Sequence, residues 1–155
     1  MKRSRAFRIV AVLVLILVAA TFASTTAMAR AGDHSKLTAV EGYGKGLFVI
    51  APTAAVPGTF SAEMTVNIHQ APPNTTFTVW RARDPQGDFD GVCANTNYLQ
   101  WQDITLTTSN GGAGALHFHY EAPFPDGEQF NVRFQFRSTD GSTVLQSDCL
   151  SITVK

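Results

Sequence analysis

Two histidines separated by one residue offer the sharpest chemistry in this sequence. His117 and His119 lie in an alternating stretch, and residues two apart in a β-strand point from the same face. Glu121 continues that row, and His69 ends the polar side of another predicted strand. Imidazole nitrogens and carboxylates suit zinc and copper. We expect a solvent-facing polar row with no cofactor, and the alternative is a zinc or copper site built from these four side chains.

An acidic segment is the second candidate ion site. Asp84, Asp88 and Asp90 lie just before Gly91, in a stretch where Pro, Gly, Asp and Asn dominate. Such a composition predicts a loop over 84–97. Oxygen-rich loops bind calcium, but the ligand spacing of a helix–loop–helix calcium site is absent. We expect a solvated acidic loop, with a looser calcium site as the alternative.

Catalytic motifs are missing from the sequence. There is no G-x-S-x-G element, and the paired carboxylates fall in the acidic loop, where no burial would raise a pKa. A hydrolase would need a pocket that joins a histidine to a carboxylate and a hydroxyl. We therefore predict a protein that is not an enzyme.

The elements that must position these residues are β-strands. Apolar and polar residues alternate with a period of two in several stretches, which is typical of strands with one buried face. Trp80 is predicted to lie in a core that covers its strand on both sides, with an exposed ligand-stacking role as the alternative. We expect an all-β fold, an antiparallel Greek-key sandwich of about seven strands, with a small closed barrel as the alternative. The predicted strand regions are 47–51, 60–69, 75–82, 101–108, 115–121, 129–137 and 143–154.

One corner between strands resembles a known family. Ala71, Pro73 and Phe77 in APPNTTFTVWRA follow the apolar-x-Pro-x-x-x-aromatic pattern. This is similar to the corner of fibronectin type III and other immunoglobulin-like domains, where the aromatic residue is tyrosine. The resemblance implies an immunoglobulin-like sandwich and says nothing about a ligand. Phe77 lacks the hydroxyl that bonds back to the backbone in that corner.

The N-terminus and the two cysteines indicate the compartment. A basic start, an uncharged apolar run over 9–23 and Ala27-Met28-Ala29 have the order of a secretory signal with its cleavage site. We predict a signal peptide over 1–29, with an uncleaved anchor as the alternative. Cys93 and Cys149 are then expected to form a disulfide, because export usually oxidises such a pair. The predicted location is secreted or extracytoplasmic, in the periplasm or at the cell surface, and membrane contact is expected only through the uncleaved precursor.

The remaining chain makes one domain with an arm. We predict a flexible arm or edge strand over 30–46 and a single sandwich domain over 47–155. Loss of the signal leaves eight Lys and Arg against twelve Asp and Glu, and no basic stripe suggests nucleic acid. The expected function is a binding or structural module for an unknown protein or glycan, and the alternative is the metal-binding protein described above. Four aromatic residues in or beside loops could contact such a ligand or close the core: Tyr43, Phe89, Tyr98 and Trp101.

Overall fold

The computed structural model describes residues 33–53, 56–84 and 89–154, with only the backbone of Gln102. The predicted signal peptide lies outside these residues. The described chain is all-β and antiparallel, as predicted, and it contains no helix long and apolar enough to cross a membrane. Its strands are β1 Asp33–Glu41, β2 Lys45–Pro52, β3 Thr59–His69, β4 Thr76–Arg83, β5 Leu99–Thr107, β6 Gly114–Pro123, β7 Gln129–Ser138, β8 Val144–Ser147 and β9 Leu150–Thr153.

All seven predicted strand regions form strands, and two differences raise the number to nine. The last region is divided into β8 and β9, which both pair with β7. Their registers against β7 differ by one residue, so a break with one extra residue lies between them. The other difference is β1. It was predicted as part of a loose arm or an edge strand, but it is paired on both sides, with β2 and with β8.

The strands form one curled antiparallel sheet in the order β5-β4-β7-β8-β1-β2-β3-β6. Four pairings join strands that are not consecutive: β1 with β8, β3 with β6, β4 with β7 and β7 with β9. Such long-range pairings are typical of Greek-key connections. Strand β1 links the two halves by hydrogen bonds, whereas an immunoglobulin sandwich has two separate sheets. The immunoglobulin-like topology therefore stays a prediction.

The core lies between the two facing halves of the curled sheet. Phe48 of β2 is fully buried, and its ring lies 4.7 Å from the ring of Phe134 and 5.6 Å from that of Phe136 on β7. At the other side of the core, the ring centre of Trp101 on β5 lies 4.6 Å from that of Tyr120 on β6. These contacts place the apolar faces predicted from the alternation on the inside.

The two tryptophans differ in burial, and the prediction for Trp80 is wrong. Trp80 was predicted to be a core residue, but it is only partly buried and lies on the outer face of β4. Trp101 is 4% exposed and packs in the core. The pairing of β4 with β5 shifts by three residues after Thr78, and this irregularity turns Trp101 inward.

A disulfide fixes the long loop over the outer face. Cys93 and Cys149 are bonded, with Cα atoms 5.5 Å apart, as predicted. Disulfides are typical of oxidising compartments. With the cysteines 56 positions apart in the sequence, the chain-entropy model assigns this cross-link about 4 kcal/mol of stability.

The β3–β4 corner obtains its missing hydroxyl from another strand. Thr108, which follows β5, is 2% exposed, and its hydroxyl donates to the Pro72 carbonyl at 2.6 Å and accepts from the Thr75 N–H at 3.0 Å. The turn beyond it also holds the corner, because the Ala71 N–H donates to the Gly112 carbonyl. Gly112 has φ of +69°, and a side chain there would clash with the Ala71 carbonyl.

Replacing this hydroxyl by a methyl group should destabilise the protein. We expect Thr108→Val to lower the free energy of unfolding by about 1–3 kcal/mol, because the Thr75 N–H and the Pro72 carbonyl lose a buried partner. Thr108→Ser keeps the hydroxyl and should cost much less. Urea unfolding of the three proteins measures the difference, and a loss in Thr108→Ser as large as that in Thr108→Val would contradict the assignment, because the methyl group would then matter as much as the hydroxyl.

Candidate functional site

The histidine row forms, but around a residue that was not among the four predicted metal ligands. Glu63 of β3 lies between the two imidazoles: its Oε2 is 2.9 Å from His117 Nε2 and its Oε1 is 3.0 Å from His119 Nδ1. Glu121 Oε2 is 3.6 Å from His119 Nε2. The cross-strand register could have found Glu63, because it pairs directly with His119.

His69 does not join this row. It pairs with Lys45 of β2, and it is four residues along β3 from Thr65, the residue opposite His117. At about 3.3 Å per residue, that separation is roughly 13 Å. In the described part of the chain, no group of three or more His, Cys, Asp or Glu side chains is placed to hold a metal ion. The combination of His69 with the pair is therefore corrected, and zinc or copper binding by the rest stays a prediction.

The same face brings together the three groups that a hydrolase would need. Ser61 Oγ is 3.4 Å from His119 Nε2, and the other ring nitrogen meets Glu63. However, a serine nucleophile must be accessible to the substrate, and Ser61 is not. Ser61 is 6% exposed and shares its hydroxyl with Thr53 Oγ1 at 2.7 Å, while His119 lies on an open sheet face. Nothing among these contacts is a positive sign of catalysis.

The acidic loop uses its first carboxylate for structure. Asp84 is 1% exposed, and its two oxygens accept the backbone N–H groups of Ala94 and Asn95 at 3.1 and 2.6 Å. Asp90 Oδ1 accepts from the Val92 N–H and from Asn131 Nδ2. Asp88 lies outside the described residues. The Asp84 carboxylate therefore holds the loop at the end of β4, the Asp90 carboxylate holds it against β7, and calcium binding stays an alternative that the structure does not test.

The strongest candidate for a ligand site is an open groove on the outer face of β5, β4, β7, β8 and β1. Its volume is about 610 Å³, which lies within the range of small-molecule sites. Trp80 lines its floor, and Arg137 lies against the Trp80 ring, with Cζ 4.5 Å from the ring centre. Tyr98, at the end of the long loop, lies 5.3 Å from the same guanidinium carbon. We call this the outer groove.

The strand register aligns the polar side chains of the outer groove in a row across the sheet. Gln100 pairs with Trp80, Trp80 with Gln135, Gln135 with Gln146, and Gln146 with Thr38. Paired residues point to the same face, so three amides and one indole follow one another at about 4.8 Å intervals. No local motif in the sequence indicates this row, because its members come from five strands.

A hydrogen-bond network fixes these side chains. Arg137 Nε and Nη2 donate to Gln135 Oε1 at 2.8 and 2.6 Å, and Gln135 Nε2 donates to Gln146 Oε1 at 2.7 Å. The Tyr98 hydroxyl donates to the same Gln146 oxygen at 3.1 Å, and Trp80 Nε1 donates to Thr78 Oγ1 at 2.9 Å. The outer groove is therefore preorganised, which lowers the entropy cost of binding.

The interior offers no comparable site. The cavity between the sheet halves, bordered by Arg81, Trp101 and Phe134, has a volume of about 20 Å³. That is room for roughly one water molecule. Trp101 Nε1 has no hydrogen-bond partner among the described groups, so a single water could serve it there.

One wall of the outer groove is the turn between β7 and β8. The Ser138 side chain and the backbone and side chain of Ser142 hydrogen-bond to Asp140 and lower its pKa to about 2. Thr139 and Gly141 of this turn line the groove. An ionised Asp140 therefore helps to hold the wall in place.

Acid should weaken this turn in a narrow pH window. Because the folded-state pKa of Asp140 is depressed below 3.8, its contribution is complete above that value and is lost as the pH falls towards about 2. We expect the stability of Asp140→Asn to decline less than that of the native protein between about pH 4 and pH 2. Denaturant unfolding across this range measures both, and parallel curves would contradict the assignment.

The two tryptophans should differ in their access to a quencher. Trp80 lies in the outer groove, whereas Trp101 is buried in the core, and the sequence has no other tryptophan. We expect acrylamide to quench the native protein more strongly than Trp80→Phe, in which only the shielded Trp101 remains. Stronger quenching of Trp80→Phe would mean that the assignment of the two side chains is wrong.

Comparison with family models, with curated proteins and with the solved structures finds no match to this chain.

Proposed function

We propose that this protein is an exported, non-catalytic carbohydrate-binding module whose ligand lies in the outer groove. The observation that carries the proposal is the juxtaposition of the Trp80 and Tyr98 rings with a row of glutamine amides and Arg137. The predicted signal peptide and the Cys93–Cys149 disulfide support export.

The chemistry of the outer groove suits a sugar. A pyranose ring has an apolar C–H face, which packs on an aromatic ring, and a rim of hydroxyls, which pair with planar amide and guanidinium groups. Trp80 offers the part of its ring that Arg137 leaves uncovered, while Gln135 in the groove lining and the adjoining Gln146 carry amides that their own network holds in fixed positions. Aromatic floors with a few fixed polar groups are typical of ligand sites.

A protein ligand would need a different surface. Protein interfaces draw most of their affinity from apolar or aromatic anchors that become fully desolvated. Of the groove-lining side chains, Val40 is the one large apolar group with strong exposure, at 51%. A groove lined by amides, hydroxyls and one guanidinium fits a hydroxyl-rich ligand better.

Binding to a panel of oligosaccharides tests the proposal. The purified protein is titrated with cello-, xylo- and galacto-oligosaccharides and with oligouronates, and tryptophan fluorescence and calorimetry report binding. We expect at least one class to bind, with Trp80 as the responding fluorophore. Trp80→Ala should weaken that binding about thirtyfold or more, because an aromatic hot spot contributes about 2 kcal/mol or more.

Two variants make the result specific. Trp80→Phe keeps an aromatic ring and should retain part of the affinity. Phe89→Ala removes an aromatic side chain that is 39% exposed and does not line the outer groove, so its affinity should equal that of the native protein. If no saccharide binds, or if Phe89→Ala lowers the affinity as much as Trp80→Ala, the proposal fails.

A further inference from the structure

We propose that the carbohydrate carries a carboxylate, and that Arg137 is the residue that recognises it. This inference rests on the proposed function and adds the ligand's charge, a uronic acid unit rather than a neutral sugar. It is carried by the position, orientation and charge of one side chain in the outer groove.

The guanidinium of Arg137 is held rigidly in a defined orientation. It is within 5.3 Å of both the Trp80 and Tyr98 ring centres, and Gln135 Oε1 accepts two hydrogen bonds from it. Arginine has five N–H donors in a planar fork. Gln135 takes two of them, so the three remaining donors lie at the Nη atoms, where a carboxylate binds with two parallel hydrogen bonds.

The charge of Arg137 is not compensated within the described chain. Among residues 33–53, 56–84 and 89–154, no carboxylate comes within 4.0 Å of its guanidinium, while Arg83 is paired with Glu128. Glu41 also lines the outer groove, but Val144 lies between it and Arg137 in the register, so their Cα atoms are roughly 10 Å apart. A partly buried cation without a carboxylate partner favours an anionic ligand.

The rest of the network also offers donors. Gln146 Oε1 already accepts two hydrogen bonds, which leaves the Nε2 donors of Gln146 to a ligand. Gln135 Nε2 has one further N–H. The end of the groove near Arg137 therefore favours an acceptor-rich group such as a carboxylate, whereas Glu41 at the other end would repel one and suits hydroxyl donors.

Matched pairs of ligands that differ only in charge test the inference. The native protein is titrated with oligogalacturonate and oligomannuronate and with the methyl ester of each, which keeps the sugar and removes the charge. We expect one acid to bind about tenfold or more tightly than its ester, as charge-assisted hydrogen bonds allow. Raising the salt concentration should weaken binding of the acid and leave that of the ester unchanged.

Variants of two arginines on the same strand show whether Arg137 causes the preference for the acid. Arg137→Gln should abolish the preference for the acid, and Arg137→Lys should keep only part of it, because an ammonium group cannot make the bidentate contact. Arg133→Gln makes the same charge change on the same face of β7, outside the groove lining, and should keep the preference. Melting temperatures confirm that each variant is folded.

The outcomes separate the two proposals. If acid and ester bind equally, or if neutral oligosaccharides bind and uronates do not, the role of Arg137 is overturned while the carbohydrate-binding module stands. If Arg133→Gln abolishes the preference as fully as Arg137→Gln, the effect is one of net charge and the inference also fails. If nothing in either panel binds, both proposals fail.

Discussion

Strand β1 is hydrogen-bonded along both edges, and the architecture depends on that arrangement. It pairs with β2 on one side and with β8 on the other, so the two halves of the chain form one continuous sheet. Because sheets twist, a continuous sheet of this length curls, and its apolar faces meet across Phe48, Phe134 and Phe136. The outer groove lies on the opposite, convex face of the β5-to-β1 half.

The alternation of apolar and polar residues predicted the strands and their buried faces, because that pattern follows directly from the period of a pleated strand. In β7 the four inward residues Phe130, Val132, Phe134 and Phe136 are at most 5% exposed. The sequence did not reveal the partners of β1, since its three nearby glycines and polar residues carry no pairing signal. It also misplaced Trp80, whose strand is rich in aromatic and β-branched residues on both faces.

The candidate site was less predictable than the fold, because its residues come from different strands. The histidine pair was visible because both members lie on one strand, but Glu63 contributes from the neighbouring strand. The outer groove collects single residues from strands that are far apart in sequence, and the register shift between β4 and β5 decides that Gln100 shares its face. Only the register brings Gln100, Trp80, Gln135 and Gln146 into one row.

The pairing of β1 with β8 also has a kinetic consequence. Leu37 lies opposite Ser147, so the two strands that join the halves of the sheet come from nearly opposite ends of the chain. Closing so long a loop costs conformational entropy before any contact is gained, and folds dominated by such contacts form slowly. The β3–β6 and β4–β7 pairings span shorter loops and could form earlier. Until β8 pairs with it, β1 exposes one edge of unpaired N–H and C=O groups, and such an edge can pair with another copy of the chain.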